Sequence, residues 1–147
     1  MRTGCFAIAG LIGVLAGGPA AALEYRSVGA PAILYDAPSE QGKRLFIIAR
    51  QTPVEVVVSL DKWVKVRDMG GSLSWIERGR LSDLRTLQVS AARAAVRQKP
   101  EESAPVVFDA ARDLILELSE PPSAGWVKVR HRDGLTGYVR VADVWGL

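Results

Sequence analysis

Few residues of this chain have the chemistry of acid–base catalysis. His131 is the only histidine, and Asp133 follows it two positions later, which would make an acid–histidine pair. Hydrolysis by a serine also needs a nucleophile on a sharp turn beside the histidine, and no segment resembles such a turn. A single histidine beside an acid in a polar turn is more typical of an exposed surface. The sequence therefore predicts no catalytic residue and a protein that is not an enzyme.

Cysteine and metal chemistry have even fewer candidates. Cys5 is the only cysteine, and it lies in residues 1–22, which have the pattern of a signal peptide: Arg2, an uncharged apolar run, and small residues that include Ala20 and Ala22. The apolar run is shorter than the roughly 20 residues that span a bilayer, so we expect cleavage after Ala22 rather than an uncleaved anchor. The mature chain would then have no cysteine, which predicts neither a metal site nor another cofactor.

The charge of the mature chain is small. Removal of the signal peptide leaves 18 of the 19 lysines and arginines and all 16 acidic residues, a formal charge of 18 − 16 = +2. A balance so close to zero disfavours nucleic acid as a partner. No later segment is apolar for long enough to span a membrane, so we expect a periplasmic or secreted protein without stable membrane insertion.

A second set of residues favours binding over catalysis. The letters Trp-Val-Lys-Val-Arg occur at 63–67 and again at 126–130. In a strand, alternate side chains point to opposite faces, so the valines of each copy face a core and the Trp, Lys and Arg share the other face. A Trp on that face offers a ligand a flat, rigid surface with two cations beside it. The candidate ligand-binding residues of the repeat are Trp63, Lys65, Arg67, Trp126, Lys128 and Arg130.

The strand that follows each of these segments adds another aromatic residue. Gly71 and Gly134 mark tight hairpin turns, because glycine adopts positive φ without steric cost. Trp75 and Tyr138 then occupy equivalent positions and extend the candidate ligand-binding surface. The alternative is that these aromatic faces pack between the two copies or between subunits, since a domain near 60 residues buries only about 60% of its surface.

A basic run in the second copy has two interpretations. Lys128, Arg130 and Arg132 alternate to one side of the predicted hairpin, where they would form an anion-binding edge. We favour the other interpretation, a charged strand that resists edge-to-edge pairing with another sheet.

The repeat extends over the whole mature chain. The same spacing of 63 residues matches further pairs, among them Ser27 with Ser90, Ile33 with Val96 and Leu81 with Val144. A unit of this length is about the size of a minimal domain. We therefore predict two tandem domains at about 24–85 and 88–147, with almost no linker around 87–89. So short a connection favours domains that dock against each other.

Each copy has the composition of a small all-β domain. Strands rich in β-branched and aromatic residues are predicted in the first copy at 32–35, 45–48, 54–58, 63–67 and 73–76. Five short strands without a long amphipathic helix predict a small barrel of mostly antiparallel strands. The Ala-rich stretch 89–97 has helical propensity, but its counterpart contains Pro31, so we predict a strand there as well.

These motifs resemble the bacterial SH3-like domain family. Residues 94–100, Ala-Ala-Val-Arg-Gln-Lys-Pro, are similar to the opening of such domains, and 125–130 with 133–139 resemble their closing hairpin. Residues 61–67 and 71–76 repeat that hairpin less regularly. The resemblance implies two tandem SH3-like barrels in a bacterial cell envelope. It also implies a non-catalytic targeting or adaptor module that recognises peptidoglycan or a protein segment.

The resemblance does not imply recognition of proline-rich peptides. In eukaryotic SH3 domains the Trp of the groove is accompanied by a Pro and a Tyr after the last hairpin. The equivalent positions hold Glu77 and Arg140, then Arg80 and Asp143. Half of the aromatic groove that binds a polyproline helix is therefore missing.

Overall fold

The computed structural model describes residues 22–147 of the chain. The predicted signal peptide, residues 1–22, lies outside the described residues except for Ala22. Within the described range, no helix combines the length and the apolar character needed to cross a membrane.

The first half of the described chain forms one antiparallel sheet of seven strands. These are β1 Glu24–Val28, β2 Ala32–Tyr35, β3 Arg44–Ile48, β4 Pro53–Ser59, β5 Trp63–Arg67, β6 Leu73–Glu77 and β7 Leu81–Ser82. Their order is β3-β2-β6-β5-β4-β1-β7, so β3 and β7 are the edges. All five predicted strands are present. The two additional strands escape prediction because β1 mixes charged and apolar residues and β7 has only two residues.

The second half repeats this sheet strand for strand. Its strands are β8 Thr86–Val89, β9 Arg93–Arg97, β10 Val106–Ala111, β11 Ile115–Leu118, β12 Trp126–Arg130, β13 Thr136–Arg140 and β14 Val144–Trp145. The order β10-β9-β13-β12-β11-β8-β14 is that of the first sheet, with each strand replaced by its counterpart. The predicted all-β fold of two tandem barrels is confirmed.

The alternation predicted for the two Trp-Val-Lys-Val-Arg segments is also confirmed. Both valines of β5 and both valines of β12 are buried, whereas the Trp, Lys and Arg residues between them are half-buried or exposed. The valines join an aliphatic core in each barrel, where burial of one such side chain contributes about 1.5–3 kcal/mol. Gly71 and Gly134, with φ of 89° and 94°, form the predicted turns and return the next strand beside each segment.

The Ala-rich stretch 89–97 is a strand region and not a helix, as predicted. Ala94 and Val96 of β9 point into the core of the second barrel. Residues 87–89, where the sequence predicts a linker, lie in strand β8, and both Leu87 and Val89 are fully buried. The barrels are instead connected by residues 83–85, between β7 and β8.

The barrels are not related by one constant spacing. Ile48, at the end of β3, is buried. Its counterpart in the second barrel is the buried Ala110, next to the end of β10, so the spacing is 110 − 48 = 62. Ile33 therefore corresponds to Ala95, and the match of Ile33 with Val96 is wrong by one residue. From β5 onward the spacing is 63, because the segment before β12 has one residue more than the segment before β5.

The first strands are offset further. The backbone N–H groups of Val28 and Val89 make equivalent hydrogen bonds to the turn that precedes the fourth strand of their own barrel, a spacing of 89 − 28 = 61. Ser27 therefore corresponds to Gln88, and the match of Ser27 with Ser90 is wrong. The two serines occur 63 residues apart without occupying the same place in the fold.

The two barrels contact each other through β1, the connection and β14. The rings of Tyr25 and Trp145 meet edge to face, with centroids 5.2 Å apart and an interplanar angle of 85°. Arg85 donates a hydrogen bond to the carbonyl of Gly146 at 2.8 Å and lies 5.9 Å from the centroid of the Tyr25 ring. The hydroxyl of Thr86 donates to a backbone carbonyl of the first barrel at 2.7 Å. These contacts dock the barrels against each other.

The docking contact should weaken at alkaline pH. Burial raises the pKa of the Tyr25 hydroxyl above its usual value of 10.0, and the Glu55 carboxylate adds to the rise. Because the folded state holds this proton more tightly than the unfolded state, the resulting stability is present below about pH 10 and is lost as the pH rises through the folded pKa. We expect Tyr25→Phe to lose less stability than the wild type between about pH 9 and pH 11 in urea denaturation. Equal losses in the two proteins would contradict this expectation.

Candidate functional site

The first barrel has a groove of about 410 Å³ beside Trp63. Residues 38–41 of the loop between β2 and β3 form one wall of the groove. Lys62, just before β5, and Glu77, at the end of β6, also line the groove. The groove therefore combines one aromatic ring with charged side chains of both signs.

Trp63 is held in place from inside its own barrel. Its ring meets the ring of Tyr35 edge to face, with centroids 5.4 Å apart and an interplanar angle of 90°. Tyr35 is buried, whereas Trp63 is half-buried, so one side of the indole is fixed and part of it faces the groove. An aromatic pair of this kind contributes about 0.5–1.5 kcal/mol beyond its buried area.

Hydrogen bonds fix the loops on both sides of this groove. The Asp36 carboxylate accepts a hydrogen bond from the backbone N–H of Lys43 at 2.8 Å, which closes the loop between β2 and β3. On the other side, Arg78 donates to the carbonyls of Leu60 and Asp61 in the loop before β5. Loops that are ordered in advance reduce the entropy that a ligand must overcome when it binds.

The second barrel has a smaller and more aromatic groove, of about 220 Å³, in the equivalent place. Strands β12 and β13 form one side of it, and the loop 119–125 forms the other. The side chains that line it include Pro100, Glu120, Pro121, Trp126, Lys128 and Tyr138. Two rings, two prolines and one ion pair therefore border a narrow space.

The charges of the second groove are arranged around Lys128. Its ammonium nitrogen lies 3.2 Å from a carboxylate oxygen of Glu120 and 5.9 Å from the centroid of the Tyr138 ring. The hydrogen bond to Glu120 raises the pKa of Lys128 above its usual value of 10.5, because it stabilises the charged form. An exposed ion pair contributes little to stability, which leaves both charges free to exchange partners with a ligand.

The two grooves differ most in the residue opposite the Trp. Trp63 pairs with Glu77 across β5 and β6, whereas Trp126 pairs with Arg140 across β12 and β13. The guanidinium of Arg140 lies 5.4 Å from the centroid of the Trp126 ring and forms an ion pair with Glu102. The first Trp therefore has a carboxylate as its neighbour and the second has a cation, so the grooves present different charges to a ligand.

The predicted ligand-binding residues are divided between several places. Trp126, Lys128 and Tyr138 lie together in the second groove, and Trp63 lies in the first. Lys65 and Trp75 face each other on β5 and β6, with the ammonium nitrogen 5.9 Å from the ring centroid, beside the first groove.

The two arginines of the repeat are paired with glutamates of neighbouring strands. Arg67 lies 2.9 Å and 3.2 Å from the two carboxylate oxygens of Glu55, whose side chain is only 10% exposed. Arg130 lies 3.8 Å from Glu117, which is opposite it in the register of β11 and β12. The Arg67 guanidinium is thus engaged within its own barrel, and a ligand contact by either arginine stays a prediction.

The loops that border the grooves are absent from the sequence-based candidates. Pro38 and Pro100 are equivalent, with a spacing of 100 − 38 = 62, and each lines the groove of its barrel. The sequence does indicate this loop in the second copy, because Pro100 ends the stretch 94–100 that resembles the bacterial SH3-like family. Glu77 and Arg140 also belong to the site, although the sequence singles out their positions only because the Pro of the eukaryotic SH3 groove is missing there.

His131 and Asp133 meet, with 2.8 Å between Nδ1 and a carboxylate oxygen. A hydrogen bond from the backbone N–H of Leu135 lowers the pKa of Asp133, and the bond from His131 adds to the effect. Thr86 also lines the cleft beside His131, but its hydroxyl donates to the carbonyl of Gln51. Across residues 22–147, no three histidine, cysteine or acidic side chains are grouped as metal ligands would be.

Comparison with solved structures gives matches of low sequence identity. The structure of NlpC1 from Trichomonas vaginalis is 13% identical, with a TM-score of 0.40, and the match covers 92% of this chain and 50% of that one. NlpC2 from the same organism is 12% identical, with a TM-score of 0.38 and coverages of 84% and 48%. An NlpC/P60 family protein from Bacillus cereus is 15% identical, with a TM-score of 0.39 and coverages of 83% and 56%. This chain therefore spans about half the length of these structures.

Two comparisons of the sequence were made, with curated proteins and with family profiles. The search of curated proteins gave no match. The profile of the bacterial SH3 domain family, in contrast, matches the chain twice, at residues 28–83 and 90–146. The first match covers most of the sheet β1 to β7, and the second covers most of the sheet β8 to β14. Since the two matches account for more than half of the chain, this protein belongs to the bacterial SH3 domain family and contains two tandem copies of the domain.

Proposed function

We propose that the protein is an exported, non-catalytic binding module of the bacterial cell envelope, in the periplasm or secreted. Its ligand is a short charged peptide segment, of peptidoglycan or of another protein, bound in the grooves beside Trp63 and Trp126. One observation carries the proposal: both barrels keep a groove with a half-buried Trp between the same two loops.

The chemistry of the second groove suits a short peptide. Its volume of about 220 Å³ is below that of pockets for drug-sized molecules, so it fits one or two side chains of a peptide rather than a large ligand. Trp126 and Tyr138 offer flat apolar surfaces, while Lys128 attracts a carboxylate and Glu120 attracts an amine. Peptide segments that carry both charges match this arrangement.

The aromatic contacts within the molecule also support a ligand role over packing between domains. Trp63 contacts Tyr35 and Trp126 contacts Arg140, and each of these partners lies in the same barrel as its Trp. The aromatic contact between the barrels is made by Tyr25 and Trp145 instead. The groove side of Trp63 and of Trp126 is thus left for a ligand.

Binding to cell-wall sacculi tests the proposal. We expect purified sacculi to retain residues 23–147, and the Trp63→Ala/Trp126→Ala double variant to lose at least about 30-fold in affinity, as truncation of a central aromatic contact does. Trp145→Phe is the control, because it changes a Trp outside both grooves. Circular dichroism of each variant verifies that the fold is intact.

Two further measurements distinguish a peptidoglycan peptide from a segment of another protein as the ligand. Sacculi from which an amidase has removed the stem peptides should no longer retain the protein if peptidoglycan peptide is the ligand. If intact sacculi fail to retain the wild type but an array of protein peptides binds through the same two Trp residues, the ligand is a protein segment. A double variant that binds both materials as the wild type does would refute the role of the grooves.

A further inference from the structure

Strand β3 forms an open edge of the first sheet with apolar side chains. It pairs with β2 on one side, and the order of the sheet leaves its other side without a strand. Leu45, Phe46 and Ile47 are 40%, 46% and 72% exposed. Soluble proteins usually protect such an edge, because its free N–H and C=O groups are a template for another strand.

The equivalent edge of the second barrel is protected. The position of Ile47 is taken by Asp109, at the spacing of 109 − 47 = 62 that relates these hairpins, and Asp109 is exposed. Phe108 packs against the core of the second barrel, and its ring centroid lies 5.7 Å from that of His131. A charge in an edge strand opposes pairing with another sheet. Both β3 and β10 end their sheets, and of these two edge strands β3 is the one without an acidic residue.

The open edge borders a groove of about 360 Å³ that both barrels form. Phe46 and Ile47 lie along one wall, together with the hairpin turn 68–70 of the first barrel. Arg112 and Asp113 of the second barrel lie on the other side. This groove shares no lining residue with the one beside Trp63, so it is a separate surface.

The charges around β3 select the kind of segment that fits. Arg44 begins the strand, Lys43 and Arg50 flank it, and all three are exposed. No carboxylate among residues 22–147 forms a salt bridge with them. The charged residues of the strand, its flanks and the groove are Lys43, Arg44, Arg50 and Arg112 with Asp68 and Asp113, a net charge of 4 − 2 = +2. A second copy paired antiparallel on this edge would bring Lys43 and Arg44 of one chain near Arg50 of the other. That repulsion disfavours self-pairing and favours a partner with acidic flanks.

We propose that β3 is a docking site for an extended apolar segment of another protein, which adds as a strand to this edge and carries acidic residues at both ends. In this mode of recognition, main-chain hydrogen bonds supply affinity and alternate side chains supply specificity. The site is independent of the grooves beside the Trp residues, so either one functions without the other.

Binding of a designed peptide tests the docking site. The probe is a short labelled peptide of alternating Val and Thr with Asp and Glu at both ends, and its affinity for residues 23–147 is measured by fluorescence anisotropy. We expect Ile47→Asp, which gives the first edge the charge found in the second, to weaken binding by at least about tenfold. Asp109→Asn is the matched control on the other edge and should bind as the wild type does. Retained binding by Ile47→Asp would overturn the proposal.

The charge requirement and the location of the site are tested separately. The Lys43→Gln/Arg44→Gln variant should bind the probe more weakly and with less dependence on salt, and a probe with Lys at both ends should bind poorly to the wild type. In NMR spectra, the probe should shift the amide signals of β3 while the indole signals of Trp63 and Trp126 stay in place. A probe that does not bind, together with a wild-type dimer that Ile47→Asp dissociates, would replace the proposal with self-association through the same edge.

Discussion

A methyl group added at Gly137 should destabilise the second barrel by about 1–3 kcal/mol, as overpacking of a dense interior does. A Cβ atom there would lie 2.6 Å from Cγ1 of Val96 and 2.7 Å from the carbonyl oxygen of Arg97. The valine side chain has little room to move in the core, and the carbonyl belongs to β9, which pairs with β13 at this point. Gly137→Ala therefore forces β9 and β13 apart.

The first barrel supplies the control for this prediction. Ser74 occupies the position equivalent to Gly137, at a spacing of 137 − 74 = 63, and it is buried with its own Cβ in place. Ser74→Ala keeps that Cβ, so it should change stability much less than Gly137→Ala. Urea denaturation followed by tryptophan fluorescence measures both variants. A Gly137→Ala protein as stable as the wild type would show that β9 and β13 separate at little cost.

Leu116→Ala should destabilise the second barrel by about 2–5 kcal/mol, the usual range for a leucine removed from a core. Leu116 lies in β11 and is 0% exposed, within the aliphatic cluster of its barrel. The alanine leaves a cavity that the surrounding strands fill only in part, because each is held by neighbours on both sides.

Leu135→Ala is the matched control for Leu116→Ala. Leu135 is 45% exposed beside the turn between β12 and β13, so the same chemical change should cost no more than about 0.5 kcal/mol. The same denaturation experiment compares the two variants. Equal losses at the two positions would mean that the second barrel has no tightly packed core around β11.

Much of the fold was predictable because its main signal is local. The repeated Trp-Val-Lys-Val-Arg segment fixes two strands and, with Gly71 and Gly134, two hairpins. Prediction failed where the signal depends on loops. A single spacing of 63 mismatched Ser27 and Ile33, because the copies differ in loop length before β12 and also between their first two strands. The segment 87–89 looked like a linker, since its burial depends on the distant strands that pair with it.

The candidate site was predictable only in the part that the repeated strands contribute. Alternation within β12 identifies Trp126 and Lys128 as neighbours on an outer face, and this holds in the structure. Alternation does not identify Pro100, which lies in another hairpin. Its position in the groove depends on the curvature of the sheet, which brings the two hairpins together. Contacts between barrels, such as Tyr25 with Trp145, likewise depend on docking and leave no pattern along the chain.

The contact between Tyr25 and Trp145 also orders the folding events in time. It joins residues 145 − 25 = 120 positions apart that belong to different barrels, and domains generally fold as units. Tyr25 and Trp145 therefore meet only after both barrels have formed, and docking comes late in folding. The groove beside β3 needs walls from both barrels, so it also forms only after docking. A partner that contacts both walls would therefore bind the fully folded protein and not a chain in which one barrel is still unfolded.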